Sequence, residues 1–288
     1  MLSGSFVALV TPMRSSGEID WKALDSLIDW HLESGTHGFV PVGTTGEAPT
    51  LSVEEKAKVI EATVKRVDGR APVVAGTGTN STEDAIELTR AGEALGADAC
   101  LIVTPYYNRP TQDGLVRHFH AIAEAVPVPI VLYNVPPRTA CDMHAATVAR
   151  LSEVDTIIGI KEACGDASRV ESILELAKEE FFVVSGEDAQ TLEMLGRGAV
   201  GTISVTANVV PRIMSEFCSA WAEGEVDRAL ELDAFLQPLH RALFAQTSPI
   251  PTKWALSRMG KMEGGIRLPL TPLEDDIHKT VLEAMRGV

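Results

Sequence analysis

Short, almost unbroken apolar runs recur along roughly the first two hundred residues, at 6–10, 38–42, 73–75, 100–103, 130–133, 157–161, 182–185 and 199–204. Continuous rather than alternating runs fit strands buried on both faces of a parallel sheet. The stretches between them carry helical periodicity. In segment 21–30 the spacing puts Trp21, Leu24, Leu27 and Ile28 on one face. Ser52 followed by Glu55 reads as a capping box. Ser81-Thr82-Glu83-Asp84 opens another helix with acids in its first turn. Eight strand–helix units in about 225 residues predict a (β/α)8 TIM barrel, an α/β fold. The rival is a doubly wound open sheet, which usually has fewer strands, and no GxGxxG follows the first run. Beyond the eighth unit the pattern changes to helix at 225–243, 250–259 and 273–285. The expected organisation is therefore a barrel domain over 1–224 and a C-terminal helical domain over 225–288. Ser248-Pro249-Ile250-Pro251 reads as a rigid turn, because each proline fixes φ.

Composition narrows the partners. The 288 residues carry a formal net charge of −15, which argues against nucleic acid or an anionic membrane surface. No apolar stretch has the length of a membrane span, and the start lacks a signal-peptide pattern, so a cytoplasmic location is expected. Cys100, Cys141, Cys164 and Cys218 are widely spaced, which predicts reduced, buried thiols, with Cys164 a small core residue. The histidines are scattered, and His118 and His120 lie two apart on a helix, so no metal site is expected. No flavin or nicotinamide fingerprint occurs.

In a parallel barrel the chemistry sits at the C-terminal ends of the strands. The sixth run ends in Lys161, whereas the other eight lysines lie in polar, helix-like or loop stretches. Burial disfavours a charged ammonium, and a neutral amine can attack a ketone to form a Schiff base. The alternative is a strand-end lysine paired with a carboxylate such as Glu162. Other strand ends carry further candidates. Gly43-Thr44-Thr45-Gly46 can turn amides and hydroxyls toward an anion, or can be a plain glycine turn. Tyr133 ends the run before Lys161, so their tips are expected to be neighbours, with the phenol able to move protons. Thr44 can link Tyr133 to Tyr107 in a hydroxyl relay. Arg138 follows two prolines and is either a bidentate carboxylate ligand or a surface arginine. Glu47, Glu187 and Asp188 are the acids near this face, and all three tyrosines of the chain lie on it.

These residues fall in motifs that run along essentially the whole chain: GSFVALVTP at 4–12, GTTGE at 43–47, TPYYN at 104–108, YNVPPRT at 133–139, GIKEA at 159–163, ISVTAN at 203–208 and PIPTKWAL at 249–256. The set resembles the dihydrodipicolinate synthase family, within the pyruvate-dependent class I aldolase superfamily that includes N-acetylneuraminate lyase. GTTGE and GIKEA mark the superfamily; TPYYN with YNVPxRT is more specific to the synthases. The resemblance implies a lyase that condenses pyruvate with L-aspartate-4-semialdehyde on the route to diaminopimelate and lysine. It implies that Lys161 forms the Schiff base and that no further cofactor is needed. Thr44, Tyr107 and Tyr133 would form the proton relay, with Tyr107 reaching in from a neighbouring subunit. Thr45 would hold the pyruvate carboxylate, Gly186 and Ile203 would line the pocket, and Arg138 would bind the carboxylate of the aldehyde. A homotetramer built from tight dimers is the implied assembly.

The chain departs from the family pattern at the positions where lysine-inhibited members bind lysine, here Ala48, Pro49, Val53, Lys56, Asn80, Asp84 and Tyr106. Asn80 and Tyr106 match. Asp84 is one methylene shorter than the usual Glu. Val53 and Lys56 stand where a histidine, or a related ring at the first, is typical. A cation at 56 opposes a cationic ligand, so weak or absent feedback is expected. Two rival readings remain: another pyruvate aldolase acting on a sugar acid or aromatic aldehyde, and a catalytically silent barrel serving as a binding subunit.

Overall fold

The computed structural model describes residues 2–287. Eight strands occur where the apolar runs place them: β1 (Gly4–Ala8), β2 (Gly38–Val40), β3 (Val74–Gly76), β4 (Ala99–Val103), β5 (Ile130–Asn134), β6 (Ile157–Glu162), β7 (Phe182–Ser185) and β8 (Gly201–Ser204). They form one sheet in the order β2-β1-β8-β7-β6-β5-β4-β3, with helices interleaved along the chain. This is the expected (β/α)8 barrel. By compactness the chain divides into two units, one from Pro72–Ile203 and the other from Gly4–Ala71 together with the chain from Ser204 onward. That division falls within the barrel sequence rather than at 224/225.

In the first unit the parallel ladders fix the register that matters for chemistry. Tyr133 of β5 pairs with Lys161 of β6, and Glu162 of β6 pairs with Ser185 of β7. The core between strands and helices is built from Ile102, Phe119, Ile122, Leu132, Val148, Ile160 and Val183, all essentially fully buried. Gly159 lies inside β6 for a steric reason. A Cβ there would stand 2.5 Å from the ring of Phe182, its register partner on β7. A glycine within a strand marks such close approach.

The second unit repeats the device. Gly38 of β2 pairs with Phe6 of β1, and its Cβ would lie 2.1 Å from that ring. Helix Trp21–Glu33 is capped by the Asp20 carboxylate, which accepts from the Ala23 amide at 3.1 Å, and it buries Leu24, Leu27 and Ile28. Trp21 departs from expectation and is 40% exposed. It is the first residue of the helix, and helical side chains lean toward the N-terminus, so its ring runs past the end of the packed face. Helix Val53–Val67 carries the expected capping box, with Ser52 and Glu55 bonding reciprocally at 2.9 and 3.1 Å. Ser81 likewise caps helix Thr82–Ala94 in the first unit. Three C-terminal helices follow, Val226–Ala242, Ile250–Arg258 and Asp275–Ala284. The expected rigid turn at 248–251 is the start of the second of these, with Pro249 as its N-cap residue and Pro251 in its first turn. Of the cysteines, Cys100, Cys141 and Cys218 are buried, but Cys164 is only half-buried, because β6 ends at Glu162 and the chain has already left the barrel wall.

Glu55 also receives the Arg267 guanidinium in two parallel bonds of 2.6 and 2.7 Å, which hold its carboxyl at about 2. A carboxylate whose folded pKa lies below its ordinary value stabilises the fold above that ordinary value, and the gain is lost as pH falls through the folded one. Arg267→Ala is therefore expected to cost on the order of 2 kcal/mol at neutral pH. Thermal melts should show the gap between variant and parent closing between about pH 5 and about pH 2.

Candidate active site

Lys161 is the penultimate residue of β6, and its side chain is buried with 6% exposed. The ammonium nitrogen lies 4.5 Å from the ring centroid of Tyr133, itself 7% exposed. The neighbouring tips expected from consecutive strands are thus brought together. The next residue, Glu162, points to the other face of the sheet, as strand alternation requires. Its carboxylate accepts from Asn134 Nδ2 at 3.1 Å and from the amides of Ala163 and Cys164 at 2.9 Å. Burial pushes the Glu162 carboxyl up, against the hydrogen bond from Asn134. Asn134 continues to Asp142 at 2.9 Å, and Asp142 pairs with Arg169 at 2.6 Å. Glu162 therefore belongs to a network behind the strands, and an ion pair between Lys161 and Glu162 is not what the fold builds.

Gly186 follows β7 and donates its amide to the Glu162 carbonyl at 2.8 Å. A Cβ at this position would meet Lys161 Cε at 2.8 Å and Ala163 Cβ at 2.7 Å. The path of the lysine side chain needs a residue without one. Gly186→Ala should leave the fold intact but slow capture of a carbonyl substrate by Lys161 by about 100-fold, because displacement of a reacting atom by 1 Å has that cost. Rates of borohydride-trapped adduct formation measure it.

Glu187 comes next, half-buried, with its carboxyl pushed up by burial and by the neighbouring Asp188. Lys161 and Arg138 draw it back down, which places all three charges within electrostatic reach. Arg138 sits on the one-turn helix Pro136–Thr139, with its side chain exposed. Ile203 is buried in β8. Tyr107 stands out of the surface, 89% exposed, with a left-handed backbone at φ 73°. Such a conformation is strained for a bulky residue. It is held by Asn80, whose side chain donates to the Tyr106 carbonyl at 3.1 Å, and by Asn108, which donates to the Asn80 carbonyl at 2.8 Å.

In the second unit, turn 43–48 follows β2. The amides of Gly46 and Glu47 donate to the carbonyls of Gly43 and Thr44, both at 3.1 Å, and that of Ala48 donates to Gly43 at 3.3 Å. Three of the amides in GTTGEA are thus spent closing the turn, and an anion cradle here rests on Thr44 and Thr45. Thr45 is buried and Thr44 half-buried. Glu47 is completely buried and paired with Lys253 of helix Ile250–Arg258. Lys253 corrects the expectation that Lys161 alone among the lysines is buried. PIPTKWAL encloses one charge among apolar residues, but that alone does not say whether the lysine faces inward. Burial pushes the Lys253 amine down, and Glu47 works in the opposite direction. Ala48 and Pro49 lie on the short turn Ala48–Thr50. Val53 is 68% exposed, and half-burial pushes the Lys56 amine down. Among the described residues, no group of three or more His, Cys, Asp or Glu is placed to hold a metal ion, and no helix is long and apolar enough to cross a membrane.

The model of the dihydrodipicolinate synthetase family matches residues 1–287. The chain belongs to this family. A 4-hydroxy-tetrahydrodipicolinate synthase from Pseudomonas putida (strain W619) is 56% identical over 286 residues, covering 99% of this chain and 98% of the relative. One of the same name from Saccharophagus degradans is 54% identical over 287 residues, covering 100% and 99%. Among solved structures, the chloride-inhibited dihydrodipicolinate synthase from Acinetobacter baumannii, complexed with pyruvate, superposes with a TM-score of 0.97 at 48% identity, covering 99% of this chain and 98% of that one. Membership of the dihydrodipicolinate synthetase family makes the chain an enzyme of the lyase class.

Proposed function

We propose that the chain condenses pyruvate with L-aspartate-4-semialdehyde through a Schiff base on Lys161, the reaction for which its relatives are named. The observation that carries this reading is a buried amine at the tip of β6, against the Tyr133 ring, with its path cleared by Gly186. The unprotonated amine adds to the ketone carbon of pyruvate, and loss of water leaves an imine. Removal of a methyl proton gives the enamine, whose terminal carbon attacks the aldehyde and forms the new carbon–carbon bond. The amine of the second substrate then attacks the imine carbon, closing the ring and releasing Lys161. Protons enter and leave at each of these steps, and the Tyr133 phenol lies beside the amine to carry them. The imine is itself the electron sink, so the chemistry calls for no metal, flavin or nicotinamide.

In this reading Thr44 and Tyr107 complete the relay, Thr45 holds the pyruvate carboxylate, Gly186 and Ile203 line the pocket, and Arg138 receives the carboxylate of the aldehyde. Tyr107 would do so from a neighbouring subunit of a homotetramer, and its 89% exposure on a strained, pinned loop supports that assignment. The product is committed to diaminopimelate and lysine, in the cytoplasm. Borohydride reduction with pyruvate present tests the first step: the peptide carrying Lys161 gains the mass of a reduced pyruvate adduct, and its absence would mean a silent barrel. A coupled assay with aspartate-semialdehyde tests the second, and preference for a sugar acid or aromatic aldehyde would move the chain elsewhere in the aldolase superfamily.

Lysine feedback is expected to be weak or absent. Lys56 brings a cation to the region where the family binds a cationic effector, and like charges in one site disfavour binding. A lysine titration should leave most of the activity at millimolar ligand, and full inhibition at sub-millimolar lysine would refute the expectation.

A further inference from the structure

None of the steps above uses the Glu47–Lys253 pair, yet both side chains are almost wholly buried. Burying two charges costs desolvation that well-packed apolar residues of similar volume avoid. Stability alone is therefore a poor account of the pair, and its position is informative. Glu47 ends the turn that carries Thr44 and Thr45, and it adopts the left-handed region at φ 59°, uncommon for a residue with a side chain. One carboxylate oxygen takes the Lys253 ammonium, and the other accepts the Arg267 amide at 3.2 Å. The Arg267 guanidinium in turn donates to the carbonyls of Gly17 and Thr50, both at 2.8 Å, and to Glu55. The Thr50 hydroxyl returns to the Glu47 carbonyl at 3.1 Å. Upstream, Thr11 donates to the Gly46 carbonyl at 2.7 Å. The turn is thus held at both ends, and its downstream hold comes from the C-terminal helical segment.

We propose that Lys253 is a positioning residue for pyruvate: acting through Glu47, it locks turn 43–48 in the conformation that presents Thr44 and Thr45. The inference rests on the Schiff-base reading, in which those threonines serve pyruvate. It makes helix Ile250–Arg258 part of the binding machinery rather than a packing appendage. A flexible, strongly hydrated lysine is suited to this only when it is enclosed, and here it is enclosed, with a fully buried carboxylate as its partner.

The test compares the parent with Glu47→Gln/Lys253→Met. The double variant removes both charges together and leaves no unpaired buried ion, so it is expected to fold with a melting temperature near that of the parent. Its KM for pyruvate, and the pyruvate concentration that half-saturates borohydride trapping, should rise roughly 10- to 100-fold. The KM for the aldehyde should stay close to the parental value, because Arg138 stands on a different loop. A purely structural pair would move the melting temperature and leave the pyruvate midpoint alone. If the double variant does not fold, Lys253→Arg carries the test, since it keeps the buried charge pair while the broader planar guanidinium displaces the Glu47 carboxylate. A raised pyruvate midpoint in that variant supports the inference, and an unchanged one overturns it. A parent that traps no pyruvate overturns the Schiff-base reading, and the inference falls with it. A parent that traps pyruvate, beside a folded variant with the parental midpoint, overturns the inference alone.

Discussion

Lys161→Ala is expected to lower turnover by about 10^3-fold or more and to abolish the borohydride-trapped pyruvate adduct, while melting within a few degrees of the parent. The amine is the only group at the tips of β5 and β6 that can form an imine, since Tyr133 offers a phenol and Glu162 is turned to the other face. Removing it also removes a covalent intermediate that no neighbouring side chain can replace. Stability is expected to change little, because the Lys161 amine lies against the Tyr133 ring and, among the described residues, has no ion-pair partner to strand in the interior. Steady-state assays, mass spectrometry of the reduced adduct and thermal melts on one preparation decide the matter. A variant that turns over at the parental rate would remove Lys161 from the mechanism.

Glu47→Ala is expected to be strongly destabilising, costing about 3–5 kcal/mol. It strands the Lys253 ammonium, whose ion-pair partner among the described residues is Glu47, and it leaves the Arg267 amide without its acceptor. The cost reflects the solvation that an isolated charge gives up on burial, which a surface pair never has to offset. Lys253→Met, which strands the carboxylate instead, should cost a similar amount, and the double change to uncharged residues should recover most of it. Denaturant titration of the four proteins gives the coupling directly. A loss below about 1 kcal/mol for Glu47→Ala would show that water reaches the pair.

The barrel could be read from the sequence because its strands are buried on both faces, so the apolar runs are continuous and the eight repeats stand out. Strand ends differ from the expected ones by at most two residues, since the ladder stops where backbone partners run out and not where hydropathy changes. The Lys161–Tyr133 neighbourhood was legible for the same reason: consecutive parallel strands put their tips side by side. Lys253 was not, because helical periodicity in a short proline-flanked segment cannot say which residue faces inward. Glu187 could be placed near the face but not within electrostatic reach of Lys161 and Arg138, because loop conformation after a strand is set by local hydrogen bonds such as those of Ser185 with the Glu187 backbone. The alternative pairing of Lys161 with Glu162 could already be set aside from the sequence, because adjacency in a strand means opposite faces.

The two glycine–phenylalanine contacts across β1/β2 and β6/β7 have a consequence for anyone diversifying this chain. Each is a lock whose two halves must be exchanged together: a methyl at 38 or 159 is tolerated only if the opposing ring shrinks in the same clone. Libraries that randomise either position alone should return the parental residue, and the second lock lies two residues upstream of the amine on which the chemistry is proposed to depend.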